Sequence, residues 1–114
     1  MEEPEKLYIL WTNADPVTSE KMVLMYAINS LVSHWWQEVT VILWGATARL
    51  AAGNPTIREK IRIARLAGVR FSACRACAEQ LGVSDMLVRD GIEVIYWGES
   101  LTRLLKEHEN LLTV

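Results

Sequence analysis

The sequence has few of the groups that carry familiar chemistry. Its 114 residues include two histidines, two cysteines, three prolines and one phenylalanine. A structural zinc site takes four ligands. Cys74 and Cys77 supply two, and the imidazoles of His34 and His108 lie far off in sequence. No metal is therefore expected within one chain, which leaves a metal shared between subunits as the only open form. Each histidine reads instead as an exposed helix-end residue that favours the C-terminal dipole. The longest unbroken apolar run, Met22 to Ile28, is too short to span a bilayer, so no membrane partner is expected. The first strand-to-helix loop is Thr12-Asn13-Ala14-Asp15 rather than GxGxxG, and no GxxxxGK[ST] run is present, so neither nucleotide fingerprint is met. No Ser-His-Asp arrangement is legible, and no cofactor is expected. The net charge of −2 argues against nucleic acid as a partner. The opening Met1-Glu2-Glu3-Pro4-Glu5-Lys6 is acidic and lacks the basic region and apolar core of a leader. A cytoplasmic location is expected.

Half of the residues are hydrophobic, at 51%, enough for one domain spanning residues 1–114 with a single core. Apolar strand-like runs stand at Leu7–Trp11, Glu38–Trp44, Val69–Ala73, Ile92–Trp97 and Leu111–Val114. Helical patterns fill the gaps between them: Val17–Ser33, a short turn from Gly45, Pro55–Ala67, a helix closed at Gly82, another closed at Gly91, and an amphipathic one carrying Leu101, Leu104 and Leu105. Asp15 or Thr18 is placed to cap the first helix, Asn54 the one that starts at Pro55, and Ser84-Asp85 the one before Gly91. Strands alternating with helices imply a parallel, three-layer α/β sheet with right-handed crossovers. The first helix has no polar face between Met22 and Ile28. A helix apolar all round is buried on all sides, so a second subunit is expected to cover what one small sheet leaves bare. Arg58, Arg62 and Arg65 form a basic stripe at helical spacing, read as a solvated face, with a site for an acidic partner as the alternative.

The chemistry-bearing stretch is Val69-Arg70-Phe71-Ser72-Ala73-Cys74-Arg75-Ala76-Cys77-Ala78-Glu79-Gln80-Leu81-Gly82-Val83. It places both cysteines where a strand runs into a helix. Thiolate is the reactive form, and unpaired amides at a helix start favour it. Cys74 near the N-cap and Cys77 one turn on share a face, where their sulfurs suit a disulfide, a persulfide or a soft metal. Arg75 adds a neighbouring cation in sequence. Ligands of open α/β sheets bind outside the carboxyl ends of the strands. Those ends carry Trp11-Thr12-Asn13, Trp44-Gly45 and Trp97-Gly98 beside Cys74, which predicts an apolar hollow rimmed by tryptophans. Thioredoxin is excluded as the fold, because Pro4, Pro16 and Pro55 all precede the motif and none is left to face it.

From Phe71 to Val83, followed by Gly91-Ile92-Glu93-Val94-Ile95-Tyr96-Trp97-Gly98, the chain resembles the DsrE/DsrF-like family, in its CxxC-bearing branch. Cys74 stands eight residues before Gly82-Val83, as does the cysteine of the family's sulfur-relay members. The resemblance implies a flavodoxin-like α/β/α sandwich with a parallel five-stranded sheet. It also implies a homotrimer or homohexamer, donor and acceptor proteins for sulfur, and sulfur carried as a cysteine persulfide. On this reading Cys74 accepts sulfane sulfur, Cys77 resolves the persulfide, and Asn13, Trp44, Gly45 and Trp97 shape the pocket. Whether the protein turns over as an enzyme of sulfurtransferase type is left open. The alternative is a non-catalytic oligomeric scaffold or small-ligand module with redox-sensitive cysteines.

Overall fold

Branched and aromatic runs become five strands, and the segments between them are helical. The computed structural model describes residues 4–114; the acidic opening at Met1–Glu3 lies outside the described residues. The strands are β1 (Lys6–Trp11), β2 (Glu38–Leu43), β3 (Arg70–Cys74), β4 (Glu93–Ile95) and β5 (Leu111–Thr113). The first helical stretch runs through α1 (Pro16–Thr18), a π-helical segment (Ser19–Leu24) and α2 (Met25–Val32). The others are α3 (Ala46–Gly53), α4 (Pro55–Leu66), α5 (Arg75–Gln80), α6 (Ser84–Arg89) and α7 (Gly98–Lys106).

Two of the expected caps form. The Thr18 amide donates to the Asp15 carboxylate at 2.8 Å, and the Ile57 amide donates to Asn54 Oδ1 at 3.1 Å. Pro16 and Pro55 follow them at the first helical positions, where a missing N–H costs nothing. The third does not form: Val83 occupies the cap of α6 without a side-chain bond, and Ser84 is already helical. His34 and His108 both lie exposed just past helix ends with φ of 59° and 56°. There they take the left-handed position that closes a helix, which histidine tolerates better than bulkier residues.

The strands pair in parallel in the order β4-β3-β2-β1-β5. From β1 to β4 the chain steps one strand at a time in one direction. Right-handed crossovers then stack the first six helices on one face. The last connection turns back across the sheet to β5, so α7 lands on the opposite face. Side-chain packing follows this division. Ile9, Trp11, Val41, Leu43, Phe71 and Ala73 join Val23, Ala51, Ile61 and Leu87 in the large core. Ile42, Cys74, Trp97 and Leu104 form a smaller core under α7, flanked by Tyr8, Leu10, Trp44, Ile95 and Leu101. Three layers result, one of them a single helix. The fourth strand is shorter than its apolar run, because Trp97 leaves the sheet and becomes the N-cap of α7.

The thin layer is pinned by one buried bond, from Trp97 Nε1 to Ser72 Oγ at 2.7 Å. Ser72→Ala leaves the indole N–H buried and unpaired, so urea unfolding should show a loss of about 1–3 kcal/mol; a change within error would mean that α7 is held by packing alone. On the other face, Arg58 Nε and Nη2 donate to the Asp90 carboxylate at 2.9 and 3.0 Å. These bonds, and secondarily the Arg58 charge, hold the Asp90 carboxyl below its ordinary value of 3.8. A depressed carboxyl stabilises the fold above its unfolded pKa and loses that contribution as pH falls through the folded value. Asp90→Asn should therefore be less stable than the wild type near neutrality, with the difference closing below the ordinary carboxyl range. A constant gap from neutral to acid pH would contradict this assignment.

Candidate functional site

Outgoing loops of neighbouring strands part company at one place in the sheet. The loop after β3 enters α5 on the crowded face, and the loop after β4 enters α7 on the other. In open α/β sheets such a parting marks the ligand crevice. Cys74 ends β3 there, paired across to Ile95 of β4, and is also the N-cap of α5 with φ −65° and ψ 116°. Strand and helix together fix its side chain beneath α7.

Two effects compete at the Cys74 sulfur. The backbone amides of Cys77 and Ala76 face it and favour the thiolate, although neither makes a full capping hydrogen bond. Burial disfavours the thiolate, and only 5% of the residue is exposed. Burial is the larger effect. Together with the adjoining Cys77 side chain, burial pushes the Cys74 thiol above its ordinary value. The helix start would have to prevail for Cys74 to be reactive; it does not, because Ile42, Trp97 and Leu104 exclude water from this sulfur. Arg75 brings no relief. Its Nη2 donates to the Val94 carbonyl at 2.9 Å, and its guanidinium lies 5.4 Å from the centre of the Tyr96 ring.

Cys77, one turn on, is only partly buried. It lines an open cavity of about 250 Å3 with Gly45, Arg49, Gln80 and Leu81. The Gly45 amide donates to Cys77 Sγ at 3.3 Å. Gly45 has φ 71° and ψ −132°, a conformation that is essentially open to glycine alone. That conformation turns the amide at the start of α3 toward the sulfur. A backbone donor stabilises negative charge on sulfur without adding a titratable group.

Of the four expected pocket residues, Gly45 lines the cavity. Trp44 and Trp97 join Cys74 in the core under α7. Asn13 is engaged within its own loop: its Oδ1 accepts from the Asp15 amide, and its carbonyl accepts from Trp11 Nε1. A rim of tryptophans does not form. Trp11 is fully buried on the opposite face, since strand residues alternate between faces. Arg49 and Gln80 were missed, although helical spacing carries the signal. Gln80 follows Cys77 by three residues, and Arg49 follows Gly45 by four, each one turn on along the same face. Among the described residues, no group of three or more His, Cys, Asp or Glu side chains is disposed to hold a metal, and no helix is long and apolar enough to cross a membrane.

Known structures share this architecture. The chain is similar to a conserved protein of unknown function, BT1422, from Bacteroides thetaiotaomicron, with 37% identity, a TM-score of 0.94, and 96% of this chain and 95% of that one covered. It is similar in fold to the ychN protein from E. coli (20% identity, TM-score 0.73, coverage 96% and 99%). It also shares the fold of MTH1491, a protein of unknown function from Methanobacterium thermoautotrophicum (15% identity, TM-score 0.74, coverage 96% and 98%). No curated protein matches the chain. The model of the DsrE/DsrF-like family matches residues 6–114, from the first residue of β1 to the last of the chain, and the protein belongs to that family.

Proposed function

We propose that the protein carries sulfane sulfur on its cysteine pair, with Cys77 as the receiving thiol and Cys74 as its partner. This exchanges the parts that the motif alone assigns to them. One observation carries the order: Cys77 opens to a cavity and accepts an N–H from Gly45, while Cys74 beside it is sealed and its thiol pushed up. A thiolate attacks only where a donor reaches it.

In the first step the Cys77 thiolate attacks the outer sulfur of a persulfide or polysulfide donor. The new S–S bond forms as the donor's S–S bond breaks, and the donor's thiolate leaves with the electron pair. Cys77 then holds the persulfide, and the Gly45 amide faces its inner sulfur. Two discharges balance. An acceptor thiolate takes the outer sulfur and frees the Cys77 thiolate. Alternatively Cys74, once deprotonated, attacks the inner sulfur, forms the Cys74–Cys77 disulfide and releases the outer sulfur as hydrosulfide. The second route oxidises the dithiol by two electrons, and an external thiol reductant restores it. Donor and acceptor proteins would meet the chain at the mouth lined by Arg49 and Gln80.

Mass spectrometry after treatment with inorganic polysulfide tests this order. One added sulfur atom is expected on Cys77 in the wild type, retained in Cys74→Ser and absent from Cys77→Ser. Sulfur on Cys74 in the Cys77→Ser variant would reverse the assignment; no added sulfur on Cys74→Ser, with neither added sulfur nor a Cys74–Cys77 disulfide in the wild type, would favour a scaffold with inert cysteines. Alkylation gives a second readout. Cys77 should react before Cys74, and Cys74 labelling should keep accelerating above the ordinary thiol value of 9.0, because a raised pKa moves its thiolate to higher pH.

Self-association belongs to the same proposal. Met25, Val32 and Trp35 remain 46%, 64% and 56% exposed along the first helical stretch and just beyond it, and a second copy that covers them removes apolar surface from water. Sedimentation should give three or six times the chain mass of 13.0 kDa; a monomer at micromolar concentration would refute it.

A further inference from the structure

We infer that the cleft between α4 and the end of α6 binds a small phosphorylated molecule of about nucleotide size. It is an open cavity of about 500 Å3 into which Arg58, Arg62, Arg65 and Arg89 project over Pro55 and Ile61. Four guanidinium groups face two carboxylates there, those of Glu59 and Asp90, so the lining keeps an excess of positive charge.

The pairing within the cleft leaves donors free. Arg58 uses Nε and Nη2 on Asp90, and Arg62 uses the same two nitrogens on Glu59. Arg65 spends Nη1 on the Asp90 carbonyl at 3.0 Å. Arg89 makes no side-chain hydrogen bond or ion pair among the described residues. A guanidinium presents five N–H donors in a rigid fork, so each of the four has donors to spare. The pairs that do form hold Arg58 and Arg62 in place before any ligand arrives, which lowers the ordering cost of binding. Arg65 is seated by a backbone feature: Gly91, with φ 80°, has no Cβ, and the Arg65 guanidinium occupies the space where one would stand.

Shape and donor number select the ligand class. The chain's own planar carboxylates already take the two-pronged positions on Arg58 and Arg62. What remains are the outer N–H groups of Arg58 and Arg62, the rest of Arg65 and the whole fork of Arg89. Donors of several orientations from two helices suit a tetrahedral phosphate whose oxygens point several ways. The volume exceeds that of a bare phosphate and falls within the range of small-molecule sites. Pro55 and the aliphatic stems of the arginines offer apolar surface to the organic part. This inference is independent of the sulfur chemistry, since neither cysteine lines the cleft.

Isothermal titration of the full chain with ADP, inorganic phosphate and succinate tests it. ADP should bind at one site per chain and inorganic phosphate should displace it. Affinity should fall as salt rises. Arg89→Ala should weaken ADP on the order of tenfold, as expected for one lost charge-assisted hydrogen bond, and Cys77→Ser should bind as the wild type does. Arg89 is exposed at the end of its helix, so its removal spares the fold. Arg62→Gln is a second variant and should also weaken ADP. The inference fails if neither ADP nor phosphate binds at millimolar concentration, if phosphate does not displace ADP, or if succinate binds as tightly as ADP. It fails equally if both arginine variants bind like the wild type.

Discussion

The hydrogen bond from the Trp97 indole to Ser72 fixes the half of the molecule in which Cys74 is buried. Both ends are buried, and in such surroundings an unmade bond costs more than a made one yields. It joins the middle of β3 to the residue at which the chain leaves β4 and enters α7. Among the described residues, α7 is the one helix on that face of the sheet. If it lifted away, Ile42 and Cys74 would face water and the sulfur would lose the environment that raises its pKa. The position of one serine hydroxyl thus reaches, through packing, to the protonation of a thiol on the same strand.

In the sulfur-carrier proposal, that protonation sets which cysteine reacts first. A CxxC motif at a strand-to-helix turn invites the inference that its first sulfur is the activated one, since the amides of the helix start converge on it. The inference holds when the sulfur is also solvated. Here the amides of Ala76 and Cys77 are aimed as expected, yet α5 spans only Arg75–Gln80, a turn and a half with few aligned peptide dipoles. Against so short a helix, exclusion of water prevails. The second sulfur is only partly buried. It stands one turn further from the sheet, touches the cavity, and draws its donor from a different helix through Gly45. The N–H donor to Cys77 therefore comes from the start of α3 and not from the helix that carries the cysteine.

The fold was legible because hydrophobic period and punctuation agree along most of the chain. Asp15-Pro16 and Asn54-Pro55 start helices where their chemistry says they should, and glycines 68, 82 and 91 end them with positive φ. Disagreement arose where a residue serves two elements. Trp97 reads as strand by composition but caps a helix, because its indole is drawn down to Ser72. Ser84 looks like a cap, yet the Val83 amide bonds back to the Ala78 carbonyl at 2.9 Å, so the turn between α5 and α6 is closed before Ser84 is reached. The site was legible as a location and not as an arrangement. That both sulfurs sit at the strand ends follows from order along the chain. Which face each tryptophan takes follows from strand parity, and parity placed Trp11 away from the thiols. The opening at Cys77 depends on α3 approaching α5 across residues 45 and 77, a contact that no local pattern announces.

The segment from Arg75 to Asp90 connects the two regions of interest, and its two ends are restrained differently. At one end Cys74 is locked into the sheet through its pairing with Ile95. At the other, Asp90 is gripped by Arg58 through its carboxylate and by Arg65 through its carbonyl. Between these anchors lie α5, the turn at Gly82 and α6, with Cys77 in the first half. Helices this short are marginal alone, so the geometry at Cys77 requires that the segment be held at both ends. Ala78 and Leu87 do this from within the core; the arginine pair does it from the surface. A salt bridge on an open surface contributes little by itself, but this one closes a stretch of chain whose other end is a sheet residue. Its value lies in limiting where α6 can go, and through α6 in keeping the Cys77 sulfur opposite the Gly45 amide.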